Sequence, residues 1–136
     1  MTQSVTSTAR SIRWGGVVLG VTLALHGVAH LPGALAAWGL GDAAAADETW
    51  VDVSGAGAAL LGVLWCLGAL GFLWAAVVVA RGRPARGSLV VASTFSLALC
   101  AAQLPAAAVG LVVDAVILVV LVALVARERW RPGASG

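Results

Sequence analysis

The chain has 136 residues, of which 61% are hydrophobic and 10% charged, and its mean hydropathy is +1.02. A soluble domain of this size carries about 25% charged residues, so long apolar runs with charge confined to the gaps indicate one integral membrane domain. The net charge of +2, with no basic patch interleaved with aromatics, leaves no footprint for a nucleic-acid partner. All eight basic residues are Arg, and without Lys no Schiff base can form.

Residues 1–11 are polar, rich in Ser and Thr, and read as a disordered tail closed by Arg10 and Arg13. A first apolar span follows over 14–31. Pro32-Gly33 should break or kink it, because Pro lacks an N–H and clashes with the preceding turn. The short stretch from Ala34 to Leu40 then suits the membrane interface, with Trp38 as an anchor. Asp42 to Asp52 is an acidic loop holding Asp47, Glu48 and Trp50. A second span covers 54–80. The loop Arg81-Gly82-Arg83-Pro84-Ala85-Arg86-Gly87 is purely basic. A third span covers 88–104, Pro105 and Gly110 bracket a tight turn, and a fourth span covers 111–126. Arg127, Glu128, Arg129, Trp130 and Arg131 follow it.

Every Arg falls in one of three segments, at the two ends and at 81–86, which the positive-inside rule assigns to the cytoplasm. The expected fold is therefore all-α: a four-transmembrane-helix bundle with both termini cytoplasmic and the acidic loop outside. The heavy use of Ala, Val, Gly and Arg without Lys points to a GC-rich genome, and so to a multi-pass protein of a bacterial cytoplasmic membrane. Ala34-Leu35-Ala36 resembles a signal-peptidase site, but two histidines in the preceding apolar stretch argue against cleavage. Small-residue seams at Gly16, Gly20 and Ala24, and at Ser54, Ala58, Gly62 and Cys66, read as close helix packing. Ser93, Ser96, Cys100 and Gln103 form a weakly polar stripe.

The chemistry concentrates in a few residues. His26 and His30 stand four apart, on one helix face with Thr22. At about 1.5 Å per residue, His26 lies roughly 18 Å and His30 roughly 24 Å above Trp14; Asp114 lies roughly 20 Å above Arg127 and Gln103 roughly 22 Å above Ser88. Both histidines, the one intramembrane carboxylate and the one intramembrane amide thus share a slab in the outer half of a hydrocarbon core about 30 Å thick.

That slab admits several roles. An Asp–His hydrogen bond satisfies two buried groups and pins helix order without any chemistry. His26 and His30 can ligate a metal ion, with Asp114 as third ligand or orienter, although no HExxH motif is present. Haem is a weaker fit, because its axial histidines usually come from different helices. An Asp–His pair can also exchange protons with a quinol or the exterior, since His titrates near neutral pH. Cys66 and Cys100 are the candidate redox pair, against the commoner role of buried Cys as an inert small hydrophobe. No nucleophilic triad, phosphate loop or paired catalytic carboxylates is visible.

The stretch His26-Gly27-Val28-Ala29-His30-Leu31-Pro32-Gly33 resembles a first-helix motif of the DoxX-like family of small four-helix membrane proteins, close to H-G-x-x-K-L-x-G. His26, Gly27, Leu31 and Gly33 match, and His30 stands where the family has Lys, which bears on any charge-dependent role of that position. The resemblance implies an accessory or anchor subunit of a membrane redox complex, quinone-linked and not a stand-alone enzyme, with oxidoreductase subunits or a second copy as partners. The alternative is a small transporter or carrier that takes a proton, a metal ion or an apolar ligand at the same site.

Overall fold

A computed structural model of the chain describes the backbone of residues 3–40 and 54–130 and the side chains of 14–40 and 54–130. The acidic loop and Arg131 lie outside the described residues. Among the described residues the regular structure is helical: α1 (Gln3–Val28), α2 (Leu31–Ala37), α3 (Ala56–Ala80), α4 (Arg86–Ala102) and α5 (Ala108–Arg129). Three segments are long and apolar enough to cross a membrane: 14–37, 56–80 and 108–129. The fourth apolar helix, α4, has 17 residues.

The boundaries depart from expectation in three places. The polar tail is not separate, since α1 starts at Gln3. Nothing between Gln3 and Arg13 is Gly or Pro, and each residue added to an existing helix costs little compared with nucleating a new one. The break after α1 falls at Ala29–His30, before Pro32 rather than at it. Pro32 occupies the first turn of α2, where its missing N–H has no intrahelical partner to lose. The chain continues across this break, so α2 forms the far end of the first long apolar segment. Finally, Gly110 belongs to the first turns of α5 and not to the connecting turn. A Cβ there would come 3.0 Å from Cys100 Sγ, so this glycine serves helix contact.

α3 is the hub. α1 and α2 pack along it on one side and α4 on the other, while α5 packs on α4. Gly16 faces Val79, Gly20 faces Ala76 and Gly27 faces Ala69, so α1 and α3 run antiparallel. At Gly27 a Cβ would sit 2.9 Å from the Ala69 carbonyl and 3.2 Å from Phe72 Cβ, so the two backbones meet closely there. The seam on α3 is rotated from the one read in the sequence. Gly62, Trp65, Ala69, Phe72 and Ala76 are buried, whereas Ser54 is exposed and Ala58 and Cys66 are half-buried. Large aromatics, absent from a small-residue pattern, define that face. Trp38 lies on Gly62 and donates Nε1–H to the Ala59 carbonyl at 3.2 Å; the Trp65 ring lies on Gly33.

Two helix ends need a left-handed residue. Gly39 (φ 69°) follows α2 and Gly82 (φ 67°) follows α3. At each, the next amide reaches back to the helix, Leu40 to Leu35 at 2.8 Å and Arg83 to Val78 at 3.1 Å, which closes a Schellman cap. Pro84 then prevents resumption of α3. At the same end of the bundle Arg86 of α4 grips Glu128 of α5 in a two-pronged ion pair. The Glu128 carboxylate raises the Arg86 guanidinium above its usual pKa.

The interior has two apolar clusters. One, toward the Arg81–Arg86 end, joins Leu23, Phe72, Ala76, Ala85, Leu89 and Leu121. The other joins Ala34, Trp65, Leu99 and Cys100. Between them the buried side chains are polar.

Candidate functional site

Asp114 is buried completely, on the helix with the most aliphatic surface. A lone carboxylate is costly there, and the fold gives it partners. His26 Nε2–H donates to Asp114 Oδ1 at 2.9 Å, from α1 across to α5. Backbone contact between these two helices is slight at most, so the side-chain pair bridges them. The other carboxylate oxygen faces α4, where the Cys100 thiol points to Oδ2 at 4.0 Å. Gly110, one turn before Asp114, leaves the room that Cys100 Sγ occupies.

His30 is also buried, at 2% exposure, and its ring is fixed at both nitrogens. Nδ1–H donates to the His26 carbonyl at 2.9 Å, one turn back on its own segment. Nε2 therefore carries the lone pair, and the Ser96 hydroxyl of α4 donates to it at 2.6 Å. The Ser96 oxygen in turn lies 3.9 Å from Cys100 Sγ. His26, Asp114, Cys100, Ser96 and His30 thus form a continuous polar loop drawn from α1, α4 and α5.

Aromatic rings wall this loop on the α3 side. Phe72 meets the His26 ring edge-on with centroids 4.4 Å apart and lies 5.4 Å from the His30 ring; Trp65 stands 5.4 Å from His30. Gly68 provides the floor under His30, since a Cβ there would come 2.9 Å from its Cδ2. His26 is the more open histidine, with 12% of its side chain exposed. Two buried polar atoms nearby in the sequence pattern, Trp65 Nε1 and Ser93 Oγ, have no hydrogen-bond partner.

The structure brings His26, His30 and Asp114 together; one ligating atom from each lies within 4.8 Å of the others. It does not bring Thr22 or Gln103 to them. Thr22 is exposed and bonds back to the Val18 carbonyl at 3.0 Å. Gln103 ends α4 as its C-cap, beyond the polar loop. The depth count failed for α4 because its zero was wrong. Gly71 faces Ala92, which puts Ser88 level with Ala75, about 9 Å deeper than Arg81. Corrected by that amount, Gln103 rises out of the slab and Ser96 moves toward it. Cys66 and Cys100 are both free thiols; Cys100 sits in the polar loop, while Cys66 packs against apolar side chains. Ser96 is the site residue the sequence reading did not assign, and its place on a stripe with Ser93 and Cys100 was the available signal.

The chain matches no family model, no curated protein and no solved structure.

Proposed function

We propose that this chain is a four-span protein of a bacterial cytoplasmic membrane and acts as an accessory or anchor subunit of a quinone-linked redox complex. The surface supports the membrane setting: Val21, Leu25, Leu70, Val91, Val116 and Val119 are all exposed aliphatic side chains. In this reading α4 is the fourth crossing, its 17 residues at the short end of what a bilayer needs. The Arg81–Arg86 loop and both termini lie inside, and the polar loop sits in the outer half. The DoxX-like motif at His26–Gly33 supports the redox role, with His30 in place of Lys.

The observation that carries this reading is the 2.9 Å contact between a fully buried Asp114 and a partly open His26. With one proton between them the pair is neutral as acid and imidazole or as carboxylate and imidazolium, so it can hold a proton in lipid without net charge. A quinol oxidised by a partner subunit sheds two protons as two electrons leave for that partner's redox centre. A ring docked beside His26 would pass those protons through the pair one at a time, the pair releasing the proton it holds to the exterior before it takes each new one. The aromatic wall of Phe72 keeps the rest of the site dry.

Purification of the tagged protein from its native membrane, followed by mass spectrometry, tests the assignment. Redox subunits and quinone should copurify with it; recovery of the chain alone, without either, would refute the assignment. Measured solute uptake by proteoliposomes holding this chain alone would favour the carrier reading instead. Topology is tested separately. Cysteine at Ala44 should react with an impermeant thiol reagent in whole cells, and Arg83→Cys, at an exposed position of the basic loop, should not.

A further inference from the structure

We propose that the polar loop is a metal site: His26, His30, Asp114 and Cys100 together bind one zinc ion in tetrahedral geometry. This inference shares the His26–Asp114 centre with the reading above but does not depend on a quinone or a partner.

Four observations lead to it. First, a ligating atom from each of His26, His30 and Asp114 already lies within 4.8 Å of the others. Around a tetrahedral zinc with bonds of about 2.0 Å, ligand atoms stand about 3.3 Å apart. The residual contraction is within reach of side-chain rotation. Second, His30 has its Nδ1–H on a backbone carbonyl, as a metal-binding histidine usually does, and its Nε2 lone pair is held by the Ser96 hydroxyl, which the metal would displace. Third, Cys100 is the nearest thiol. Its sulfur lies 4.0 Å from Asp114 Oδ2 but outside the 4.8 Å cluster of the other three, so it becomes the fourth donor by turning toward them. A set of two imidazoles, a carboxylate and a thiolate suits zinc. Fourth, Gly68 and Gly110 leave space against His30 and Cys100 where any larger residue would collide.

Charge balance permits zinc to replace the protons of the centre. The ionisable groups facing the centre are His26 and His30 from α1 and its C-terminal turn, Cys100 from α4 and Asp114 from α5. α2 has no titratable residue, and Cys66 on α3 lies in the apolar cluster. With one proton in the His26–Asp114 pair and one on the Cys100 thiol, the metal-free centre would be neutral. Zinc displaces both: the pair proton leaves His26 Nε2 and Asp114, and the thiol becomes thiolate. One dication with one carboxylate and one thiolate is again neutral. The exchange of one Zn²⁺ for two protons therefore changes no net charge in the bundle core, where an uncompensated charge is costly. Ser96, released from His30 Nε2, remains 3.9 Å from the sulfur as a hydroxyl donor to the thiolate.

The test is metal binding by the purified full chain in detergent, with Co²⁺ as the spectroscopic probe and Zn²⁺ as competitor. One Co²⁺ per chain should bind, give tetrahedral visible bands and a near-ultraviolet sulfur-to-cobalt band, and be displaced by Zn²⁺. Because two protons leave, affinity should rise by up to about a hundredfold per pH unit in acid. Cys100→Ser should abolish the sulfur band and reduce that slope to about tenfold per pH unit, whereas Cys66→Ser should change neither. Absence of stoichiometric Co²⁺ or Zn²⁺ binding by the wild-type chain overturns the proposal without need of any variant. So does a sulfur band that survives Cys100→Ser, or binding unaffected by His30→Gln. Copurification with redox subunits would leave either result unchanged, which keeps this test apart from the previous one.

Discussion

α3 and α5 are both long apolar helices, yet they are held in opposite ways. Over its most apolar stretch α5 has a mean hydropathy of 3.0 against 2.3 for α3, but only 11% of that stretch is buried against 33%. In water the more apolar helix would sit at the centre. Here the central helix carries glycines and aromatics, and the most aliphatic one lies at the edge of the bundle. Lipid removes the hydrophobic reason to bury Val and Leu, so packing goes to residues that allow close approach. α3 is fixed by shape: Gly27 against Ala69, Gly62 under Trp38 and Phe72 against both histidines. α5 buries just Asp114 and Leu121; it packs on α4, and polar contacts tie it down further, Asp114 with His26 and Glu128 with Arg86.

Loss of shape on α3 should therefore cost the most. Phe72 is 0% exposed and touches both histidine rings, so Phe72→Ala opens a cavity and should destabilise by about 3 kcal/mol. Gly27→Leu should cost about as much by forcing α1 off the Ala69 carbonyl. Thermal unfolding in detergent measures both. A loss below that of any α5 variant would reverse the ranking of the two helices.

The polar attachment of α5 comes next. Asp114→Leu leaves His26 Nε2 unpaired and should cost on the order of 1–2 kcal/mol, while Asp114→Asn keeps a hydrogen bond and should cost much less. The functional readouts must diverge. If Asp114 holds a proton or a cation, the Asn variant should lose metal binding and quinone-linked activity as fully as Leu. If Asn matches wild type in both, the carboxylate only pins the helices. Ser96→Ala removes one buried hydrogen bond to His30 and should cost about 0.6 kcal/mol, the average for such bonds between membrane helices.

The difference between the helices also explains what could be read from the sequence. Charge and hydropathy are one-dimensional, so the apolar segments and the single carboxylate among them were visible, as was its approach to a histidine. Close packing is a matter of azimuth and level. The α3 seam was misplaced because small residues alone suggested it, whereas Trp65 and Phe72 set the true face. Counting depth from Ser88 as the boundary of α4 places Gln103 in the slab and Ser96 outside it. The basic loop runs on into α4, which starts at Arg86, so Ser88 already lies farther into the membrane than Arg81. Pro32 and Gly110 were read as turn residues; their places in helices follow from the first-turn tolerance for Pro and from contact with Cys100.

The smallest expected effect lies on the outer face of α5. Val112, Val116 and Val119 are each more than half exposed. If that face meets only lipid, Val→Leu at all three should leave the melting temperature unchanged, because acyl chains and a Leu side chain are equally apolar surroundings. Detergent replaces lipid there, so the result should also be independent of detergent chain length. A second copy or an oxidoreductase subunit seated on the same face would respond differently, since added methylenes overpack a protein interface. In that case the triple variant should lose the partner in crosslinking or native mass spectrometry while the isolated chain melts as before. Equal partner recovery for wild type and variant would place any such contact elsewhere on the bundle and leave α5 a lipid-facing helix.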